Sequence, residues 1–304
     1  MGLKKAAAVI GVPMDFGASK KGADAGPEAI RRTDLIAKIK ALGWSASDRG
    51  DIPVPERPKS AGEPKARFLA PILKVCSALA AETQKAHKAG ELPIVLGGDH
   101  ALGLGSVAGA SRHYASQGKS IGLLWVDAHG DMNTPATSPT GNVHGMPLAA
   151  LVGMGDKRMT GLGGPGPKVR PRNVCLIGSR DLDAAERKNI RESGVNIFTM
   201  KDIDVRGMAS VVEEALELAG RDAERIHVSF DIDAVDPAIA QGTGTHSRGG
   251  LTYRESHLLM EMVADSHLLS SLDMVEVNPL EDVHNNTAEL ACELIQSALG
   301  KRIY

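Results

Sequence analysis

Short apolar runs alternate with amphipathic segments along the whole chain. Eight segments, most of them such runs, predict strands, and they cover residues 6–11, 45–48, 92–96, 120–127, 173–177, 196–199, 225–231 and 272–277. Most of them are almost continuously apolar, as is expected for strands of a parallel sheet that is covered on both faces. The repeated alternation of strand and helix predicts the same α/β architecture.

The segments between these runs carry helix signals at their ends. Pro27 suits the first position of a helix, and Gly43 suits the residue that follows a helix. The stretch 65–88 places apolar residues at helical spacing, and Gly90 follows it. The same spacing predicts helices over residues 208–218, 253–263 and 287–299.

Composition narrows the class of protein. The 304 residues are 42% hydrophobic, which is enough for one large α/β domain or two smaller ones, and of these we favour a single domain over residues 1–304. The formal net charge is −2 and no Lys/Arg tract is present, so a nucleic-acid partner is not expected. No apolar run approaches the roughly 20 residues that a membrane span needs.

Two further features concern the location of the protein. The first residues carry two lysines and a short apolar run, but Pro13 and Asp15 follow at once and favour a first strand over a signal peptide. The three cysteines, Cys76, Cys175 and Cys292, are far apart and form no CxxC pair. This pattern predicts reduced core thiols in a cytoplasmic protein.

Charged residues stand at the ends of four predicted strands or within the next few residues. They are His100, Asp127, His129, Asp131, Asp231, Asp233 and Glu276. Ligands of open parallel sheets bind beyond the carboxyl ends of the strands, and residues two apart on a strand share a face. We therefore expect these side chains to converge in one crevice.

The four aspartates and two histidines of this set predict a metal site, because buried carboxylates need compensating charge. Their ligand atoms suit Mn²⁺, with Fe²⁺, Co²⁺, Ni²⁺ or Zn²⁺ as alternatives. Four carboxylates balance two divalent ions, and two ions about 3.5–4 Å apart can activate a water molecule. Each motif alone also fits a turn or a helix cap, whereas their combination favours a binuclear centre. We interpret five further histidines as helix or surface residues, namely His87, His113, His257, His267 and His284. His227, inside a predicted strand, is interpreted as a hydrogen-bonded core residue.

Several long motifs resemble the ureohydrolase family, which contains the arginases and agmatinases. The central ones are GGDH at 97–100, DAHGDMN at 127–133 and SFDIDAVDP at 229–237. Further matches lie at 10–15, 22–27 and 276–279, so the resemblance covers nearly the whole chain. It implies a three-layer α/β/α fold with an eight-stranded parallel sheet.

The resemblance also implies a binuclear manganese centre. One ion would be held by His100, Asp127, Asp131 and Asp231. The other would be held by Asp127, His129, Asp231 and Asp233, so that Asp127 and Asp231 would bridge the two ions. Members of the family hydrolyse a guanidine-type carbon and usually release urea. By this resemblance Glu276 would bind the guanidinium, and His144 would be the proton shuttle, a role that suits imidazole. An ordinary loop residue is the alternative interpretation of His144.

The polar loop at 130–145 resembles the arginase loop that binds the α-carboxylate of the substrate. Its neutral donors are Asn133, Ser138, Thr140 and Asn142. Asp183 resembles the aspartate that binds the α-ammonium group, and it also suits a helix N-cap. The resemblance thus implies a bacterial-type enzyme that converts L-arginine to L-ornithine and urea. It also implies self-association into a trimer or hexamer.

Three alternatives stay open at this point. An agmatinase or guanidinobutyrase would share the metal residues. A two-metal phosphoesterase or deacetylase-like hydrolase belongs to a different class, and the lack of a Lys/Arg cluster argues against the phosphoesterase. An inactive family member retained as a scaffold is disfavoured, because every proposed ligand residue is present.

The chain departs from the family pattern at two places. Ala101 stands where many relatives have Ser. The loop at 234–250 has His246 and Arg248, where relatives usually have Pro and an apolar or small residue.

Overall fold

The computed structural model describes residues 5–302, and it contains a single eight-stranded sheet within that range. The strands are β1 Ala6–Val12, β2 Ser45–Asp51, β3 Leu92–Gly97, β4 Ile121–Val126, β5 Val174–Ser179, β6 Asn196–Thr199, β7 Arg225–Asp231 and β8 Leu269–Val275. Their order is β2-β1-β3-β8-β7-β4-β5-β6, and each pair of neighbours is parallel. The prediction of a parallel sheet built from eight strands is therefore confirmed.

Eleven α-helices accompany the sheet within the described residues. They are α1 Gly26–Arg31, α2 Leu35–Ala41, α3 Leu69–Lys88, α4 Gly103–Ala115, α5 Pro147–Leu151, α6 Lys157–Thr160, α7 Ala184–Ser193, α8 Met200–Arg206, α9 Met208–Gly220, α10 Tyr253–Ser266 and α11 Asn286–Ala298. Alternate strand side chains enter two separate cores. Leu124 and Val126 pack with helices α1, α2 and α8–α11, whereas Leu123 and Trp125 pack with α3–α7. This arrangement is the expected three-layer α/β/α fold.

Two predicted helices differ from the observed ones. The helix predicted over 65–88 begins at Leu69, because Pro71 lacks a backbone N–H and has to lie in the first turn. Phe68, which matched the helical spacing, has a left-handed φ of 56° instead. The segment between Pro27 and Gly43 forms two helices rather than one, and Asp34 between them has a φ of 61°.

Strand β8 begins at Leu269, three residues before the predicted position 272. The prediction missed this start because two polar serines interrupt the apolar run. The Ser270 hydroxyl donates to the Ile226 carbonyl at 3.0 Å, and Ser271 Oγ lies 2.7 Å from Nδ1 of His227. The other ring nitrogen of His227 lies 3.0 Å from a carboxylate oxygen of Asp273. His227 is fully buried, so its interpretation as a hydrogen-bonded core residue is confirmed.

The sheet order brings the four charged motifs together. They follow β3, β8, β7 and β4, which are the four central strands and are adjacent in this order. The backbone also approaches closely at this edge. A Cβ on Gly98 would lie 1.8 Å from the Met14 carbonyl oxygen, so only glycine allows the loop after β3 to pack on the loop after β1.

The expectations about thiols and membranes concern the same described range. All three cysteines are buried and free, as predicted for core thiols. No helix among residues 5–302 is long and apolar enough to cross a membrane. Residues 1–4 of the N-terminal prediction lie outside the described residues, whereas Ala6–Val12 form the predicted first strand.

Candidate metal centre

The first ligand cluster surrounds the ring of His100, just after β3. Nδ1 of His100 lies 3.1 Å from Oδ2 of Asp127 and 3.2 Å from Oδ2 of both Asp131 and Asp231. All four side chains are buried. Within residues 5–302, His100 Nδ1 and Asp131 Oδ2 are buried polar atoms without a hydrogen-bond partner. Unpartnered buried polar atoms are costly, so this cluster requires a further binding partner.

The second ligand cluster lies beside the first and shares Asp127 with it. Nδ1 of His129 lies 3.3 Å from Oδ1 of Asp127 and 3.1 Å from Oδ2 of Asp233. The two oxygens of Asp127 thus face different clusters, as a bridging carboxylate requires. Donor atoms of Asp127, His129 and Asp233 form this second group, whereas Asp231 directs Oδ2 to the first.

The spacing of the donor atoms fits bound cations. Ligand atoms at roughly 2.0–2.2 Å from one ion lie about 3 Å from one another. The observed separations of 3.1–3.3 Å agree with this spacing. The carboxylate and imidazole donors suit hard to borderline divalent ions. Both clusters therefore fit a metal ion.

The electrostatics of the aspartates lead to the same conclusion. Burial and the neighbouring Asp127 raise the pKa of Asp131 to about 6. Burial and the charge of Asp233 raise the pKa of Asp231 well above its usual range. Burial would lower the pKa of His129, but Asp233 and Asp127 raise it. The negative charge of this crevice thus needs protons or metal cations to balance it.

Several side chains that the sequence patterns did not indicate hold the ligands in place. The Trp125 ring stacks on His100 with centroids 4.0 Å apart, and its Nε1 donates to Asp127 at 3.1 Å. Ser229 Oγ lies 2.9 Å from Nε2 of His100. Thr245 donates its hydroxyl to Oδ2 of Asp233 at 2.7 Å. Such contacts outside the ligand set orient the ligands and tune metal sites. A single Ser or Thr in a strand or loop carries no sequence signal of such a contact.

His144 and Glu276 form a pair next to the first cluster. Nδ1 of His144 lies 3.0 Å from Oε1 of Glu276, which also accepts a hydrogen bond from the backbone N–H of His100. Burial would lower the pKa of His144, but the hydrogen bond and charge of Glu276 raise it to about 9. Glu276 has a left-handed φ of 62°, and Asp131 has one of 51°. Such strained backbone often marks functional sites.

The residues expected to bind the amino-acid end of a substrate lie in the loop that follows Asp131 and at the start of helix α7. Asp183 caps helix α7, because its Oδ1 accepts from the N–H groups of Ala185 and Glu186. Its Oδ2 accepts from Nδ2 of Asn133 at 2.8 Å. The expectation that Asp183 is a helix cap is therefore confirmed, and one carboxylate oxygen also faces the polar loop.

The side chains of the other polar-loop residues already form hydrogen bonds, some within the loop and some to neighbouring segments. Ser138 Oγ accepts from the Gly141 N–H, and Thr140 Oγ1 accepts from the Asn142 N–H. The Asn142 side chain binds Ser19 and also accepts from Arg67 at 3.2 Å. The hydroxyls of Ser138 and Thr140 still have a proton to donate.

The two departures from the family pattern lie at different depths. Ala101 is fully buried, and its N–H donates to Asp99. His246 and Arg248 are exposed, and Nε2 of His246 donates to the Gln241 carbonyl at 2.7 Å. Their loop does reach the centre, because Thr245 contacts Asp233.

A parallel α/β/α sheet with two adjoining carboxylate–histidine clusters at its carboxyl edge defines a binuclear metal hydrolase. A family model described as the arginase family matches residues 5–300. The arginase of Bacillus caldovelox is 44% identical over 301 residues, which cover 98% of this chain and 99% of that protein. The chain belongs to the arginase family.

Solved structures agree with this assignment. The arginase from Bacillus cereus superposes with a TM-score of 0.93 at 42% identity, covering 99% of this chain and 100% of that one. The arginase of Entamoeba histolytica, solved in complex with L-ornithine, has a TM-score of 0.91 at 32% identity, with coverage of 99% and 100%. The fold and the family are thereby shown over almost the full length.

Glu186 is a further buried carboxylate that the sequence patterns did not indicate. Its Oε1 accepts from the Met132 N–H at 3.1 Å, next to Asp131. Burial first, and then the charge of Asp131, raise the pKa of Glu186 from 4.5 to about 8. Between these two values the folded protein retains a proton that the unfolded chain has released. Its contribution therefore becomes more destabilising as the pH rises from about 4.5 to 8.

We predict that Glu186→Gln raises the free energy of unfolding by an amount that grows over this pH range. The gain should reach on the order of 1–4 kcal/mol at pH 8 and vanish near pH 4, since each pKa unit is worth about 1.4 kcal/mol. Denaturant unfolding at several pH values, with equal Mn²⁺ throughout, measures it. Glu192→Gln removes an exposed carboxylate from the same helix, and an equal gain from both variants would contradict the prediction.

Proposed function

We propose that this protein hydrolyses L-arginine to L-ornithine and urea at the two ligand clusters. The observation that carries the proposal is the position of the His144–Glu276 pair beside two clusters joined by Asp127. Membership of the arginase family over residues 5–300 supports the same reaction. The proposal treats residues 1–304 as one catalytic domain.

The ligand assignment follows the geometry of the clusters for every residue except Asp231 at the second ion, which follows the family resemblance. We assign His100, Asp127, Asp131 and Asp231 to one ion, and Asp127, His129, Asp231 and Asp233 to the other. Mn²⁺ is proposed as the ion, because four carboxylates with two imidazoles suit it, and Co²⁺, Ni²⁺ and Fe²⁺ share these preferences. When bound, two such cations supply a nucleophile activated at neutral pH and positive charge that stabilises the transition state.

Glu276 is proposed to bind and orient the guanidinium group. The side chain is buried, and Oε1 is held by the His100 N–H and by His144. Its Oε2 accepts none of the hydrogen bonds formed among residues 5–302, which leaves an anionic oxygen for the N–H groups of a guanidinium. Fixing this planar cation in one orientation presents its carbon to the nucleophile.

His144 is proposed to deliver the proton that the reaction needs. Hydrolysis breaks the bond between the guanidinium carbon and the side-chain nitrogen, and that nitrogen leaves as an amine only after gaining a proton. His144 is 17% exposed beside the buried Glu276, so it contacts both solvent and the reaction site. Its raised pKa keeps the ring protonated and ready to donate, and cations bound among the aspartates would reduce that rise.

The amino-acid end of the substrate is proposed to lie along the polar loop and helix α7. Asn133, Ser138, Thr140 and Asn142 would face the α-carboxylate, and Asp183 the α-ammonium group. The arginase of Entamoeba histolytica, a relative with the same fold, was solved with L-ornithine bound. The family match favours arginase over an agmatinase or guanidinobutyrase, which need no carboxylate site.

The assembly and location of the protein are proposed on separate grounds. The family resemblance favours a trimer or hexamer. The three buried free thiols are typical of proteins in a reducing compartment, and this supports a cytoplasmic location.

Removing metal should abolish urea release from L-arginine, and Mn²⁺ should restore it. Asp127→Asn should lower the content of both ions, because Asp127 faces both clusters, whereas the exposed control Asp204→Asn should retain them. Elemental analysis and urea assays with L-arginine, agmatine and 4-guanidinobutyrate measure these outcomes. Full activity in demonstrably metal-free protein, or a preference for agmatine, would overturn the proposal.

Replacing His144 by Ala should lower kcat by about 10²–10⁴-fold, the span that general acid–base groups contribute. The metal content should not change, because His144 contacts Glu276 rather than the ligand clusters. His284→Ala removes an exposed histidine and is the matched control. Loss of metal along with activity would refute the proton-transfer role.

Asp183→Asn should reduce kcat/KM for L-arginine by about 10–150-fold while leaving the stability of helix α7 intact. Asn caps helices as well as Asp does, so this change removes the charge but retains the cap. A hydrogen bond to a charged group is worth about 1.5–3 kcal/mol, and each 1.4 kcal/mol is tenfold. The agmatine rate should change less, because agmatine lacks the carboxylate that places its amine.

Comparing Asp183→Asn with Asp183→Ala separates the two roles of this residue. The Ala variant should lose a further ~1 kcal/mol of unfolding free energy through the missing cap. If the Asn variant hydrolyses L-arginine like the wild type, Asp183 acts as a helix cap alone.

A further inference from the structure

Arg180 lies beside the second ligand cluster without belonging to either cluster. It directly follows β5, and its guanidinium donates five hydrogen bonds, one for each N–H that the group possesses. The acceptors are the carbonyls of Gly178, Asp233, Ala234 and Ser247, and Ser247 accepts twice. None of these five bonds goes to a carboxylate.

These carbonyls belong to three different segments of the chain. Gly178 lies in β5, Asp233 and Ala234 lie in the short turn after β7, and Ser247 lies in the loop at 234–250. The shortest of the five bonds, at 2.7 Å, reach Asp233 and Ser247 from the same nitrogen, Nη2. Arg180 therefore ties the loop to the turn that carries Asp233.

Both restraints act on the Asp233 carboxylate. The bond to its carbonyl fixes the main chain of the residue whose Oδ2 faces His129. The bonds to Ser247 fix the loop two residues beyond Thr245, whose hydroxyl donates to the same Oδ2 at 2.7 Å. Losing Arg180 would therefore release Asp233 from two directions.

The chemistry of arginine suits this place. A lysine has three N–H donors on a point charge, and it cannot form five hydrogen bonds to four carbonyls arranged around a planar group. The loop is also closely packed on the guanidinium, since a Cβ on Gly250 would lie 2.6 Å from Nη2. Nearby aspartates, with Asp233 the foremost, favour the charged form, although burial lowers the pKa of Arg180.

We propose that Arg180 is a positioning residue that holds Asp233 and Thr245 in place for the ion at the second ligand cluster. This role rests on the proposed two-metal function. Arg180 makes no hydrogen bond to a residue of the first cluster, so its loss should weaken the second position selectively. Outer partners of metal ligands typically change affinity by about 10–100-fold.

The test compares Arg180→Met and Arg180→Lys with the wild type and with Arg172→Met. Arg172 is an exposed cation near the other end of β5, paired with Asp222, and thus a matched control for loss of charge. Metal-free protein is titrated with Mn²⁺, bound ions are counted by elemental analysis, and spin coupling between neighbouring ions is followed by electron paramagnetic resonance.

Wild type and Arg172→Met should bind two ions and show the signal of a coupled pair. Arg180→Met should keep the first ion, bind the second about 10–100-fold more weakly and show mostly uncoupled Mn²⁺. Arg180→Lys should fall between them. If circular dichroism shows that Arg180→Met does not fold, Arg180→Lys decides by the same criterion of a selectively weakened second ion.

A second ion bound as tightly as in the wild type would overturn the role of Arg180. Equal weakening of both ions in a folded variant would also contradict it, because the proposed effect is selective. Failure of the wild type itself to bind two ions would instead refute the two-metal function, and the role of Arg180 with it. The titration of the wild type thus distinguishes the two failures.

Discussion

Compensation of buried negative charge at one edge of the sheet is the constraint on which the rest of the site depends. Four aspartates place carboxylate oxygens 3.1–3.2 Å from the ring nitrogens of two histidines. Despite this proximity, Nδ1 of His100 and Oδ2 of Asp131 form no hydrogen bond of good geometry within residues 5–302. Hydrophobic burial of the central strands provides the stability that permits such a concentration of charge. Divalent cations bound at the two clusters would neutralise the carboxylates and activate a water molecule for hydrolysis.

The architecture explains how residues so distant in sequence reach this edge. The four central strands arise from different parts of the chain, yet in the sheet they are neighbours, and their carboxyl ends open on one crevice. Around the ligands, Trp125, Ser229 and Thr245 fix individual rings and carboxylates. The carboxyl ends of rigid strands position the ligands, and Arg180 extends that rigidity to a loop without regular structure.

The sequence predicted the parts of this structure that follow from repeated or dense patterns. Apolar runs identified most strands of the sheet, and the charged residues at the ends of four of them identified the ligand clusters. The start of β8 was missed because Ser270 and Ser271 are polar yet satisfied internally. The sequence patterns did not indicate the burial of Glu186 or the contacts of Arg180, because their partners are backbone groups and backbone positions leave no trace in residue identity.

The metal ligands and the residues proposed to contact the amino-acid end of the substrate differ in how freely they can be substituted. A metal ligand is fixed by charge and distance together, so its replacement alters both the balance of the cluster and the place of its neighbours. The proposed contacts to the amino-acid end of the substrate are instead Asp183 and four neutral side chains of the polar loop, and two hydroxyls of that loop accept hydrogen bonds from its own backbone N–H groups. Loop bonds of this kind can be exchanged without disturbing the charge balance. In the proposed function, selectivity between guanidine compounds would therefore depend on positions where the fold tolerates change, and hydrolysis on positions where it does not.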